Sequence, residues 1–493
     1  MKTHKLGYIL LGIGSFIVFF TLISDSIGIG KKGIQAAQLL LIQGGILLTV
    51  ISIGILNLSD TELKVANSIN RIVARIQNLP ASVWILLGFL IAYILLFISP
   101  VFFNPDHRID YLTRYIPEIT PIGRDLNYAT SGIKIWLSGN GFYDLKNLNY
   151  PPLYAVVFSP FLLLKYPVTF FVMTGITLFC MTVSTLLLPS LIVKNKDRAV
   201  LVFFFLTGIF SYGMQFELER GQFNIFAFTL SFLAIYIFHR HYQFRYLAYL
   251  LFSVAVQIKL YPVVFILMFI KDWRDWKNNI LRFTGLGIFN IALLFVLGYQ
   301  TFIDFMNTML TLLDAVWIRP YNHSLASFVS DLTSTGLGIL QPNIVAMLRE
   351  NSSYIKLILI LYYLVCLLVV VGRAYKNNEN GINLDLFLVC TIGAIILPSL
   401  SIDYKLPLLA PAIALALSYS PQGNHATRHV VSVFLLTIIS LSYSYTLFSF
   451  VDRPVILQNC FPLFMIILTA ITLLNIIENR TFFQAENPIN SLT

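Results

Sequence analysis

A lone aspartate, Asp125, opens the run DLNYATSGIKIWLSGNGFYDLKNLNYPPL within a polar insert of an otherwise apolar chain. A carboxylate at that place has two readings. Aspartate is a favoured N-cap of a helix, worth about 0.5–2 kcal/mol. It is also a residue type that accepts a proton from an attacking hydroxyl, provided that it lies within hydrogen-bond reach. The two roles are compatible only if one oxygen stays free. Asp106 and Asp110 precede it in the same insert and offer the same chemistry. The cations are as conspicuous. Lys259 lies in the middle of the apolar run 246–270, in QIKLYPVVF, with Pro262 three residues on. A lysine in hydrocarbon is costly without an anionic partner, and a proline breaks the helical ladder beside it. FELERGQ brings Glu217, Glu219 and Arg220; SIDYK brings Asp403 and Lys405; the polar loop 300–352 brings Arg319 and His323. Each has a plainer structural reading. Lys259 could pair with Glu217, Glu219 or Asp403, Arg220 with a carboxylate across helices, and His323 could be a surface histidine. Arg319 and Lys405 could meet lipid headgroups.

These side chains must be positioned by membrane helices. The chain has 493 residues, of which 57% are hydrophobic and 11% charged, and its mean hydropathy is +0.78. Soluble domains carry about 25% charged residues. Apolar runs fall near 6–24, 33–56, 83–103, 168–193, 199–214, 222–238, 246–270, 283–299, 353–372, 383–400, 405–420, 429–450 and 455–477. A span of hydrocarbon takes about 20 apolar residues as a helix, and period-two alternation, the mark of a membrane barrel, is absent. The expectation is an all-α polytopic membrane protein with about 13–14 transmembrane segments. The net charge of +10 fits basic cytoplasmic loops and anionic lipid rather than nucleic acid. Cys180, Cys366, Cys390 and Cys460 lie in or beside apolar runs without metal-ligand spacing and read as packing residues. The first run is long and lacks a small-x-small cleavage site, so it is expected to remain as a helix.

Charge bias orients the bundle. With the N-terminus in the cytoplasm, the loops bearing Lys64, Arg71 and Arg75, then Lys194, Lys196 and Arg198, then Arg240 and Arg245, all fall inside. The basic stretch KDWRDWKNNILR follows the run 246–270 and falls inside only if that run turns back near Lys259. We therefore expect a broken hairpin there. Asp125, Arg220, Lys259, the loop 300–352, Lys405 and the DRP stretch at Asp452 and Arg453 then share the outer face. Rare polar groups gathered at one mouth of a bundle point to a site. After Asp125, Leu126, Ala129, Ile133, Trp136 and Leu137 mark one face of a helix that Gly139-Asn140-Gly141 ends. That helix is expected to lie along the outer membrane surface. A second amphipathic helix is expected on the cytoplasmic side, from Leu63 to Ile76. Residues 1–82 read as an accessory hairpin plus that helix, 83–352 as a core with outer loops 104–167 and 300–352, and 353–493 as further membrane helices.

The pattern D-L-x-Y-A-x-x-G-I-x-x-W-L-S-G-x-G-F-Y…Y-P-P-L over 125–153 resembles the first outer loop of glycosyltransferase family 87, in the GT-C class. RGQFNIFAF at 220–228 is similar to that family's GQxN helix start, QIKLYPVVFIL at 257–267 to its lysine–proline hairpin, and NHSL at 322–325 to an N-x-S-L element. The resemblance covers about 84–420. It departs in placing about twenty residues between the first core helix and Asp125, which keeps Asp106 and Asp110 open as the base. The hairpin 6–56 has no counterpart.

What the resemblance implies is transfer of a sugar from a polyprenyl-phosphate donor to a hydroxyl of a lipid or glycan acceptor. A hexose such as mannose is expected; the family also includes members with an arabinose donor, which stays open. Inversion needs a carboxylate beside the acceptor and positive charge beside the phosphate. Asp125 would be the base, and Lys259, Arg220, His323, Arg319 and Lys405 would be the phosphate contacts. One phosphate needs less neutralisation than a diphosphate, so no metal is expected. The resemblance and the Ile/Asn/Lys-rich usage suggest a bacterial cell membrane, and the charge bias leads us to expect the site on its outer face. Competing classes are a transporter or flippase, which would show a second broken helix, and a polysaccharide polymerase or ligase, which would rely on arginines and a histidine in later loops.

Overall fold

The computed structural model describes residues 2–23, 123–145, 148–192, 211–314, 322–335, 340–379, 381–418 and 459–478, with isolated positions between them. Within these stretches the chain is helical; Asn322 and Ile402 form an isolated antiparallel bridge. The helices that frame the site and the bundle are α1 (Lys2–Ile23), α2 (Arg124–Leu137), α3 (Tyr166–Thr182), α4 (Tyr212–Arg220), α5 (Asn224–Arg240), α6 (Arg245–Ile258), α7 (Trp276–Leu293), α8 (Tyr299–Asp314), α9 (Leu325–Thr335), α10 (Ser352–Asn377), α11 (Leu384–Ile396) and α12 (Phe461–Glu478); further helices, among them Leu153–Phe158, Pro342–Glu350 and Leu409–Ser418, and shorter turns lie between. The chain is a helical membrane protein. Two described stretches, Tyr166–Ile192 and Ser352–Asn377, are long and apolar enough to cross a bilayer. The expected cytoplasmic helix around Leu63, the run 83–103 and the run 429–450 lie outside the described residues.

Burial distinguishes the core helices from the lipid-facing one. α5 is apolar on all sides, and Phe228, Phe232, Ile235 and Phe238 are fully buried, as expected of a helix at the centre of a bundle. Every residue of α11 is buried. Phe387 from α11 packs on Phe228, Phe232 and Phe265 with ring centroids 4.7–5.9 Å apart. α10 is the opposite case. Leu357, Ile358, Leu361, Val365 and Leu368 are about half exposed or more and form one continuous face. Such a stripe would be an aggregation hazard in water and is matched by acyl chains. The stretch Tyr166–Ile192 contains a π turn over Val183–Leu187, closed by Leu188 N–H on Val183 O, just before Pro189. Proline has no N–H to offer, and the wider turn absorbs the break.

The run 246–270 is a hairpin with unequal arms. α6 climbs to Ile258; Lys259 is extended, and a 3-10 turn over Tyr261–Met268 descends. Phe269 comes back against Phe238, Tyr249 and Phe252, at 5.2, 6.0 and 4.8 Å between centroids. His239 Nε2 bonds Met268 O at 2.7 Å. The stretch 271–282 therefore lies at the same end as Arg240 and Tyr242, and Lys259 lies at the other. α7 starts earlier than the apolar run beginning at 283, because Asp275 caps it by accepting from Asn278 N–H. The loop 300–352 is also more ordered than its polarity implies, holding α8, α9 and the helix Pro342–Glu350.

Candidate active site

Two glycines bring the first segment of the site together. Gly123, with φ 76°, caps α2, and Gly221, with φ 63°, ends α4. Both conformations are left-handed and disfavour any Cβ. Gly123 N–H donates to Glu219 O at 2.8 Å, and Tyr166 Oη donates to Gly123 O at 2.7 Å. A Cβ on Gly123 would lie 2.6 Å from the Phe170 ring, and one on Gly221 would lie 2.8 Å from Leu126 Cβ. The start of α2 is thus pressed against the end of α4. Leu126, Ala129 and Ile133 bury the inner face of α2, leaving Asp125 in its first turn, half-buried. We expect Gly123→Ala to cost about 1–3 kcal/mol through the strained backbone and the displaced Phe170. A fall in thermal unfolding temperature in detergent, with a parallel loss of activity, is the measurement.

Asp125 is not the cap. Gly123 holds that position without a side chain, and Asp125 Oδ2 accepts a hydrogen bond from Gln222 Nε2. Gln222 in turn accepts from Lys259 Nζ through Oε1, at 2.9 Å. One buried amide therefore joins the carboxylate to the cation. Gln222 is held by its neighbours. Phe223 packs on Tyr150, Tyr154 and Phe158 at 5.6, 5.3 and 4.9 Å, and these three rings stack at 4.5 and 4.4 Å along the YPPLYAVVF stretch. Asn224, which opens α5, donates to Glu217 Oε2 at 2.8 Å, and Glu217 Oε1 takes Ile225 N–H at 3.1 Å. Glu217 thereby serves the positive end of α5, and Lys259 bonds an amide rather than any of the three expected carboxylates. Tyr150 completes the setting of Lys259, whose Nζ lies 4.6 Å from that ring centroid.

Asp125, Gln222, Lys259 and Arg220 line one cavity of about 490 Å3, together with Arg124, Tyr150 and Tyr404 among others. Among the described residues, Asp125 is the one carboxylate on its wall, against three cations. Arg220 touches its neighbour Glu219 through Nε at 3.2 Å and covers Phe216, 5.0 Å from the ring centroid. Half-burial lifts the Glu219 carboxyl above its usual range, and the Arg220 guanidinium opposes that.

His323 and Lys405 are placed elsewhere. His323 is fully buried; Nε2 meets Asp403 Oδ1 at 2.7 Å and Nδ1 accepts Cys460 N–H at 3.0 Å. With Nδ1 accepting, the ring is neutral and donates from Nε2 to Asp403. Both nitrogens are engaged, so His323 is a strut of the wall, not a group facing the cavity. Asn322 continues the strut, donating to Ser399 O at 3.0 Å and accepting Ser401 N–H at 2.8 Å. The NHSL stretch therefore fastens the loop that carries Leu400, Ile402 and Tyr404 into the cavity wall. Lys405 is buried behind that loop, donating to Leu400 O at 3.1 Å and lying 5.5 Å from the Tyr261 ring centroid. Arg319, Asp106, Asp110, Asp452 and Arg453 lie outside the described residues.

Three lining residues escape a reading by charge and spacing. Arg124 is next to Asp125 but gives no signal of its own. Gln222 and Tyr150 stand inside the GQxN and YPPL stretches, where the pattern was visible but the side-chain role was not. The chemistry available here is proton acceptance at one carboxylate, with hydrogen-bond donors and positive charge a few ångströms away.

No curated protein and no solved structure matches the chain. The sequence profile of glycosyltransferase family 87 matches residues 148–398, which is just over half of the chain and spans the YPPL, GQxN, lysine–proline and NHSL stretches. On that match, the chain belongs to glycosyltransferase family 87.

Proposed function

We propose that this membrane glycosyltransferase moves a hexose such as mannose from a polyprenyl-phosphate donor to a hydroxyl of a lipid or glycan acceptor, with inversion, on the outer face of a bacterial cell membrane. The observation that carries the reading is one cavity lined by Asp125, Lys259 and Arg220, with the Gln222 amide joining the first two. Its volume lies within the about 300–1,000 Å3 usual for small-molecule sites, and Tyr128 and Tyr404 line it with rings on which a sugar can pack.

In this scheme the acceptor hydroxyl hydrogen-bonds Asp125. As its oxygen attacks the anomeric carbon, its proton passes to the carboxylate. The bond from that carbon to the phosphate oxygen breaks on the opposite side of the sugar, which inverts the centre. The electron pair leaves with the phosphate, and polyprenyl phosphate departs. Lys259, with Arg220 and Arg124, faces the charge that grows on the leaving oxygen. Lys259 would exchange Gln222 Oε1 for a phosphate oxygen when the donor enters, and Gln222 would keep Asp125 aimed. No step in this scheme calls for a metal.

The deciding experiment incubates purified protein with a panel of synthetic lipid-phosphate sugars and candidate acceptors, and measures released lipid phosphate. Release from one sugar, dependent on acceptor, is expected. Unidirectional movement of the intact donor across liposomes, without release, would instead make this a flippase. Gln222→Leu, of similar bulk, should lower kcat about tenfold or more by freeing Asp125 and Lys259 from their shared partner, as expected when reacting groups lose their alignment. Steady-state kinetics at saturating donor measures this; unchanged kcat would remove Gln222 from the scheme.

A further inference from the structure

At the end of the bundle away from Lys259, α6 and α7 border a second cavity of about 930 Å3. Its rim is cationic and aromatic. Lys271 Nζ lies 3.9 Å from the Tyr242 ring centroid, and the Arg245 guanidinium lies 5.1 and 4.7 Å from those of Tyr242 and Tyr246. Arg282 is already committed to structure, donating to Tyr249 Oη at 2.9 Å, Phe269 O at 2.8 Å and Asn279 Oδ1 at 2.8 Å. The two lining carboxylates are likewise engaged: Asp272 accepts Arg274 N–H at 2.9 Å, and Asp275 accepts Asn278 Nδ2 at 2.6 Å. Across the two segments 240–245 and 271–282 there are six arginines and lysines against two aspartates. Three cations, Arg245, Lys271 and Arg282, line the cavity itself against those two aspartates, and with the flanking cations the face is net positive.

The wall is of another kind. Leu250, Leu281 and Phe289 are 49%, 71% and 41% exposed, and all line the cavity. Gly285 lines it too, and a Cβ there would meet nothing within 4 Å. Cations at the end of two helices, with an open apolar groove running along those helices, match a molecule that has an anionic head and a hydrocarbon tail. Basic pockets between membrane helices are a known setting for lipid phosphates. None of these residues belongs to the active site.

We propose that this cavity binds one anionic phospholipid, with Lys271 and Arg245 on the phosphate and an acyl chain in the groove past Leu250, Gly285 and Phe289. A zwitterionic lipid of the same chains lacks the net negative charge that this face attracts, and a free phosphate leaves the groove empty.

The test uses the full chain in detergent, titrated with phosphatidylglycerol, with phosphatidylcholine of the same chains, or with glycerol phosphate. Thermal unfolding is followed, and retained lipid is counted by native mass spectrometry. Phosphatidylglycerol should raise the unfolding temperature saturably and stay bound; the other two should not. The double variant K271A/R245A should need about thirtyfold more phosphatidylglycerol, as two cations near an anionic head are lost. Gly285→Trp keeps both cations, fills the groove and puts a better helix former in α7, so it decides the matter even if the double variant folds poorly. It too should need more phosphatidylglycerol for the same shift. The proposal is overturned if phosphatidylcholine matches phosphatidylglycerol, if glycerol phosphate alone reproduces the shift, or if both variants respond like the wild type.

Discussion

Replacing Asp125 with asparagine should lower kcat by about 10²–10⁴-fold, the usual worth of a positioned general base. Asparagine keeps the shape and one acceptor oxygen, so the contact with Gln222 Nε2 can persist. What disappears is the basicity. Asp125 sits in the first turn of α2 without capping it, so removing its charge should not unravel that helix. The unfolding temperature in detergent should therefore stay close to the wild type while release of lipid phosphate stops. Normal turnover by Asp125→Asn, with Asp106→Asn or Asp110→Asn inactive, would move the base to the earlier part of the insert. A variant that unfolds as it loses activity would point to a purely structural carboxylate.

Lys259→Met separates two roles even more sharply. Methionine fills much the same volume without the charge. If Lys259 stabilises the leaving phosphate, kcat should fall about 10²–10³-fold, as when a donor to developing negative charge is removed. Stability should hold or rise, because a half-buried cation whose hydrogen bond goes to an amide rather than a carboxylate is itself a cost. A structural ion pair predicts the reverse, a falling unfolding temperature with the carboxylate left behind. Measuring turnover and thermal unfolding on the same preparation distinguishes them. Arg220→Met should have a smaller effect, since Arg220 is held against Glu219 and Phe216.

The membrane class and the helical build are legible in composition, because recurrent apolar runs with few charges suit helices in lipid, and the exposed apolar face of α10 fits that setting. The turn-back at Lys259 was readable for a related reason. A lysine and a proline three residues apart cannot sit inside a straight span, and the basic stretch after Met268 needs its own side of the bilayer. That logic also gathers Asp125, Arg220 and Lys259 at one end. Local pattern fails where partners are distant in sequence. His323 reads as a loop histidine, yet it is buried by Asp403 and Cys460, 80 and 137 residues further along. Lys405 reads as a phosphate contact or as a lysine meeting lipid headgroups, whereas it is covered by the loop that Asn322 fastens. Gln222 carries no formal charge, so a search by titratable residues passes over the one side chain that links two of them.

The unequal arms of the 246–270 hairpin set the parity of everything downstream. A chain that enters from one side and leaves by the same side adds no crossing. Each later helix therefore keeps the polarity that it would have had with the whole hairpin cut out. Gain or loss of this one reversal would exchange the inner and outer faces of every helix after it. The bend that delivers Lys259 to the cavity is thus also the device that registers the first half of the bundle with the second.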